Sequence, residues 1–187
     1  MDQRVRYSKM VIKNVFIEKL REKPIDKITV SEICSSAEIN RATFYKYYEN
    51  PYDLLDKLEW ELIDNLEQKL VSMGVTEFTE VLRIVLTEIK ENHDIYNLLM
   101  ADSVDSEFRD RIFAHCYDYN IKTINKIFTN LSEEKREWIY YFIAEGCNGI
   151  LTRWLKSGMS MPIEEVVEFT RDVVMSINIG HSRGSQK

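Results

Sequence analysis

Apolar residues recur at three- and four-residue intervals along almost the whole chain, and no stretch alternates with a period of two. Val11, Ile12, Val15, Phe16 and Leu20 form one such run, followed by Leu54, Leu55, Leu58, Leu62, Leu66 and Leu70, then by Val81, Leu82, Val85, Leu86 and Ile89. The spacing returns in Ile112, Phe113, Cys116, Ile121, Ile124 and Phe128, in Trp138, Tyr141, Phe142 and Trp154, and in Val166, Val167, Val173, Val174 and Ile177. Each run lays an oily stripe on a cylinder that turns every ~3.6 residues, whereas a strand would scatter the same residues over both faces. The pattern predicts an all-α protein of about nine helices.

At 187 residues the chain removes roughly 70% of its unfolded surface from water, so its core needs no staple. Six Gly, three Pro and 30% charged residues exclude collagen-like and disordered classes. Cys34, Cys116 and Cys147 are odd in number, widely spaced and without a CxxC pair, and no secretory n-region and h-region opens the chain. A soluble, cytoplasmic protein without disulfides is expected, and with no apolar run near the ~20 residues that cross a bilayer, no membrane partner.

Local punctuation places the helices. Thr29-Val30-Ser31-Glu32 spells a capping box, Asn40 precedes Arg41 as a second N-cap, and Asn50-Pro51 sets a capping amide before a proline at the first helical position. Helices are therefore predicted near 5–21, 30–37 and 41–47, with another starting at 51. Pro24 ends the first, Gly74 marks a break, and Lys156-Ser157-Gly158 with Pro162 separates the last two. Residues 180–187 carry no packing pattern and are expected to be disordered.

Charge divides the chain as the helices do. The net charge of −6 conceals +3 over residues 1–50 and −9 over the remainder. We read 1–50 as one domain of short helices and 51–179 as a second of longer ones. A basic head permits phosphate binding despite an acidic total, because local potential steers a polyanion.

Thr29 to Tyr48 has helix-turn-helix spacing, and its second helix reads Arg41-Ala42-Thr43-Phe44-Tyr45-Lys46-Tyr47-Tyr48. Phe44 and Tyr48, one turn apart, suit the core and leave the others for outer faces. Arg offers a bidentate fork for guanine, Ala permits close approach, and Thr, Tyr and Lys donate to phosphate oxygens. Thr29, Arg41, Ala42, Thr43, Tyr45, Lys46 and Tyr47 are the candidate DNA contacts. Arg4, Arg6 and Lys9 are read as a solvated tail in preference to an arm on phosphate or in the minor groove.

This span, ITVSEICSSAEINRATFYKYYENPYDLL, resembles the DNA-binding domain of the TetR/AcrR family of bacterial transcriptional regulators through Thr29, Val30, Ile33, Ala37, Ile39, Thr43, Tyr45, Tyr47 and Leu54. Glu38 stands where that family has a turn glycine, Asn40 where it has Ser, and Pro51 where many members carry Lys. The stretch from Gly146 through Gly149 and Trp154 to Gly158-Met159 resembles the end of one regulatory-domain subgroup. The resemblance implies a homodimer joined through the last two helices, with Gly146, Gly149, Arg153, Val166, Thr170 and Val173 as interface candidates. It also implies a small-molecule effector, with Trp60, Tyr96, Met100, Phe113, Cys116, Tyr117, Tyr141 and Phe142 as candidate pocket walls.

No nucleophilic triad, metal site or phosphate loop is legible: His115 and Cys116 are adjacent without a completing acid, and no G-x-x-x-x-G-K occurs. The expectation is a non-enzymatic regulator, a ligand-responsive repressor on a pseudo-palindromic double-stranded operator, without cofactor. The alternative is a co-regulator of the same fold that grips a protein partner and binds DNA weakly or not at all.

Overall fold

Three caps set the starts of three helices in the computed structural model, which describes residues 3–74, 77–99, 108, 111–112, 121, 124–125 and 128–184, the last eight by backbone alone. At the first, the Thr29 hydroxyl accepts from the Glu32 amide (3.3 Å) while Glu32 Oε2 accepts from the Thr29 amide (3.0 Å), opening α2 (Val30–Ser36). At the second, Asn40 Oδ1 accepts from the Thr43 amide (2.7 Å) and opens α3 (Arg41–Tyr45). At the third, Asn50 Oδ1 accepts from the amides of Tyr52 (2.9 Å) and Asp53 (3.0 Å), and Pro51 begins α4 (Pro51–Ser72). Each cap satisfies amides that the first turn of a helix leaves open.

Before them runs α1 (Gln3–Glu22), ended by Pro24 and a single 3-10 turn at Ile25–Lys27. Arg4, Arg6 and Lys9 are thus helical: the helix expected near 5–21 takes in Arg6 and Lys9 and starts two residues earlier, so that the tail reading of the three is corrected. After α4 come α5 (Phe78–Glu91), α6 (His93–Leu99), α7 (Glu133–Lys156) and α8 (Ile163–Gly184). Every described regular element is helical, and eight α-helices lie among the described residues. Lys46 and Tyr47, expected in the third helix, form a hydrogen-bonded turn after it, and α8 continues four residues past Gly180, where disorder was expected to begin. Once nucleated, a helix propagates at little cost beyond the residues that pack. Among the described residues no helix is long and apolar enough to cross a membrane.

The chain divides into two compact units, Met1–Asp64 with Asp94–Phe108, and Asn65–His93 with Arg109–Lys187. The division expected at 50/51 falls instead inside α4, whose residues up to Asp64 cluster with the amino-terminal helices. In the first unit α1 packs on α2 and α2 on α3. Ile12, Phe16, Ile33 and Phe44 are fully buried there, and Phe44 meets Tyr48 at 5.6 Å between ring centroids. In the second unit α8 packs on α5 and α7, and a bidentate pair from Arg83 to Glu164 (2.7 and 3.0 Å) straps α5 to α8. Buried Glu88 of α5 accepts from Lys69 and from Asn92 Nδ2 (2.8 Å), the pairing a carboxylate needs inside a core.

The turn joining α2 to α3 decides how α3 is presented. Ile39 donates its amide to the Cys34 carbonyl (3.0 Å) and Glu38 to that of Ser35 (3.4 Å), a Schellman closure that requires a left-handed residue after the C-cap. That residue is Glu38, at φ 52°, a conformation glycine adopts freely and an L side chain does not. Glu38→Gly is therefore expected to raise stability by about 1 kcal/mol and Tm by roughly 2–4 °C for a chain of this length. An unchanged or lowered urea midpoint at constant slope would refute the strain.

Candidate nucleic-acid interface

The caps, the turn and the buried Phe44 together fix which side of α3 faces outward. Arg41, Ala42, Tyr45 and Lys46 are exposed, Thr43 and Tyr47 are half-buried, and Phe44 and Tyr48 are interior. Arg41 makes no hydrogen bond or ion pair with a described residue; its charge acts only on the Cys34 thiol, whose pKa burial raises and Arg41 lowers in part. Tyr45 leans its ring edge-on against Phe44 (5.7 Å) and leaves its outer edge in water. A guanidinium fork, a methyl group and a phenol thus share one outward surface.

Two of the candidate donors are already engaged. The Thr29 hydroxyl donates to Glu32 Oε2 (2.9 Å), and the Thr43 hydroxyl donates to Asn40 Oδ1 (2.9 Å). Both serve caps, so to donate to a phosphate either must surrender an internal bond. Lys23 also donates to Glu32 (2.6 Å), and its bond together with those from Thr29 pulls the Glu32 carboxyl down to about 2. Because the folded value is depressed, this stabilisation is present above the unfolded carboxylate range near ~4.3 and is lost as pH falls through about 2. Stability of Glu32→Gln is expected to fall less than that of the unaltered protein between pH 4.5 and 2, measured by urea midpoints; parallel curves would exclude the linkage.

The Tyr47 ring gathers two cations whose placement the sequence did not show. Lys9 of α1 and Lys46 place their ammonium groups 5.6 and 5.7 Å from the centre of its ring. Lys57 of α4 donates to the Tyr47 carbonyl (3.0 Å) and to Asp53 (2.8 Å), tying the end of α3 to α4. Lys57 stands four residues after Asp53, a spacing that signals an ion pair but not the reach back to residue 47.

In the second unit an open groove of about 610 Å³ lies between the end of α7 and the start of α8, lined among others by Gly146, Gly149, Arg153, Trp154, Val166 and Phe169. It includes four of the six interface candidates; Thr170 is buried nearby and Val173 is exposed on α8. A second Schellman closure shapes it: Met159 donates to the Trp154 carbonyl and Gly158 to that of Leu155 (2.9 Å each), while Trp154 Nε1 donates to Met161 O (2.8 Å). Among the described residues no three His, Cys, Asp or Glu side chains converge on a common point that could hold a metal.

The sequence family described as a transcriptional regulator C-terminal region of the TetR type matches residues 76–176, more than half of the chain. The chain belongs to the TetR family of transcriptional regulators. Among solved structures it is similar to a TetR transcriptional regulator from Streptococcus agalactiae 2603V, with 26% identity, 92% of this chain and 96% of that one covered, and a TM-score of 0.73. The dihydroxyacetone kinase operon activator DhaS shares the fold at 19% identity, TM-score 0.60, over 90% and 94% of the two chains. So does Thermus thermophilus FadR, a repressor solved with lauroyl-CoA, at 16% identity and TM-score 0.54 over 89% and 93%. No curated protein matches the chain in sequence.

Against the TetR pattern quoted above, Glu38 keeps the turn at the cost of a left-handed side chain and Asn40 keeps the cap. Pro51 is buried at the head of α4 and offers nothing to a phosphate. Of the pocket candidates, Tyr96 is buried against Phe108 (6.1 Å between ring centroids). Trp60, Tyr141 and Phe142 are exposed, because the opposite faces of α4 and α7 carry the buried stripes. Met100, Phe113, Cys116 and Tyr117 lie outside the described residues.

Proposed function

We propose that this TetR-family regulator reads a pseudo-palindromic operator as a homodimer and releases it when a small-molecule effector binds. The observation that carries the DNA-binding part is the outward surface of α3. Arg41 there keeps its full donor set, Ala42 leaves room for a base edge, and Tyr45 and Lys46 flank them for the backbone. Thr29, Thr43 and Tyr47 complete the positioning contacts, with the two threonines exchanging their cap bonds for phosphate. Homodimerisation supplies two such surfaces, whose separation sets half-site spacing. An effector that favours a dimer with the wrong separation lowers operator affinity by its differential affinity for the two states.

The ligand-responsive reading draws support from Thermus thermophilus FadR, solved with lauroyl-CoA. For this chain we infer a small-molecule effector, with buried Tyr96 as a candidate wall residue and Met100, Phe113, Cys116 and Tyr117 kept as candidates from the sequence pattern. Repression is the simpler mode, since an occupied operator blocks what overlaps it, although a protein of the same fold is an activator. Glu38, an exposed carboxylate beside the start of α3, favours the second reading, a co-regulator that grips a protein. Selecting bound fragments from random duplex DNA at two salt concentrations separates the two. Recovery of a two-fold symmetric motif, with retention falling steeply as salt rises, is the expected result. Unenriched or salt-insensitive retention by a folded dimer would transfer the reading to the co-regulator.

A further inference from the structure

The outer face of α7 is unusual in being large at one end and empty at the other. Trp138 and Phe142, 62% and 69% exposed, stand on the same stripe as Gly146, Gly149 and Arg153, all within about 80° of arc at 100° per residue. Tyr140, Ile143, Leu151 and Trp154 occupy the opposite, buried face. A Cβ added at Gly146 or Gly149 would meet no atom within 4 Å, so this unit does not need glycine there for its own packing. Mid-helix glycine costs ~1 kcal/mol relative to alanine, and the two border a groove that no described side chain fills. Exposed Phe169 and Val173 of α8 add apolar surface on the neighbouring helix, and clustered exposed apolar side chains mark interaction surfaces.

We propose that Phe142 of one copy seats in the groove at Gly149 of a second copy, through antiparallel pairing of α7 about a two-fold axis passing beside Glu145 and Gly146. This inference rests on the homodimer reading and specifies its register. Phe142 lies seven residues before Gly149, about 10 Å along the helix. Parallel pairing would set ring against ring and glycine against glycine, leaving one contact crowded and the other empty. Antiparallel pairing sets each ring over a glycine and does so twice, the self-complementarity that a two-fold interface demands. In this register Trp138 falls opposite Arg153, which has no ion pair with a described residue and gains a ring face for its guanidinium. Gly146 of both copies lies at the axis and lets the helices approach closely. Glu145, at the exposed rim, has the repulsion between its two copies screened by water.

An exchange of ring and cavity tests this register. Dimer dissociation constants are measured by sedimentation equilibrium on the full chain for Phe142→Ala, Gly149→Phe and the double variant, with helix content checked by circular dichroism. Each single change is expected to weaken the dimer about 30-fold or more, the first by leaving a cavity and the second by setting ring against ring. The double variant is expected to return to within about tenfold of the unaltered protein, because ring and cavity have traded places. Single variants that dimerise within threefold of the unaltered protein, or a double variant at least as weak as both singles, overturn the register while leaving the homodimer intact. An unaltered protein that stays monomeric at about 100 μM overturns the homodimer and this inference together. Phe142→Ala removes an exposed ring and so does not endanger the fold, which keeps the first arm decisive if Gly149→Phe is poorly helical.

Discussion

Replacing Arg41 with alanine is expected to lower affinity for the selected operator about 10- to 100-fold, the range of a lost bidentate contact to a guanine edge. The protein should remain as stable as before, because the guanidinium makes no hydrogen bond or ion pair with a described side chain and sits at the first position of α3, where alanine is well tolerated. Discrimination should fall with affinity: binding to a shuffled duplex, held by phosphates, should change little. Lys46→Ala is the contrasting case. Its loss should weaken both duplexes alike and reduce the slope of log affinity against log salt by about 1, the share of one phosphate. Band shifts or anisotropy on the two duplexes at three salt concentrations resolve the pair. Equal losses on both duplexes for Arg41→Ala would remove it from base reading, and an unchanged slope for Lys46→Ala would remove that lysine from the backbone.

What could be read from the sequence alone follows the range over which each signal acts. The caps at Thr29, Asn40 and Asn50 were legible because a capping bond spans three residues and is independent of everything distant. Glu38 stood out only against the turn glycine of the family the chain resembles, and its left-handed backbone bears out the conflict that departure implies. The approach of Lys9 to the Tyr47 ring was not legible, because Lys9 reaches it from another helix and no local rule links positions 9 and 47. Nor was the orientation of α7. Trp138, Tyr141 and Phe142 carry as much apolar surface as the buried Tyr140, Ile143 and Trp154, so a helix oily on both sides leaves the inward face undecided. Tyr141 and Phe142, pocket candidates through the resemblance, stand in water on the outer side. The division inside α4 has a similar origin: its leucine stripe continues unbroken from Leu54 to Leu70, and periodicity does not record which neighbours each leucine meets.

Phe44→Ala separates folding of the reading head from its chemistry. Phe44 is fully buried on the inner side of α3, edge-on to Tyr45 (5.7 Å) and tilted against Tyr48 (5.6 Å). Truncation removes most of an aromatic side chain from a short helix of five residues, and the expected loss is about 3–5 kcal/mol, since so small an element has little means of collapsing into the space. Amide exchange at Thr43, Phe44 and Tyr48, whose hydrogen bonds run to Asn40 and Phe44, should accelerate first. Operator binding should fall with it, and partial recovery on cooling toward the temperature of maximum stability would mark the defect as unfolding. Tyr45→Ala, one residue later and 56% exposed, should shift the urea midpoint by less than about 0.5 kcal/mol yet weaken binding at every temperature. If instead the two neighbours lose stability equally, Tyr45 belongs to the core and the outward surface assigned to α3 shrinks to Arg41, Ala42 and Lys46.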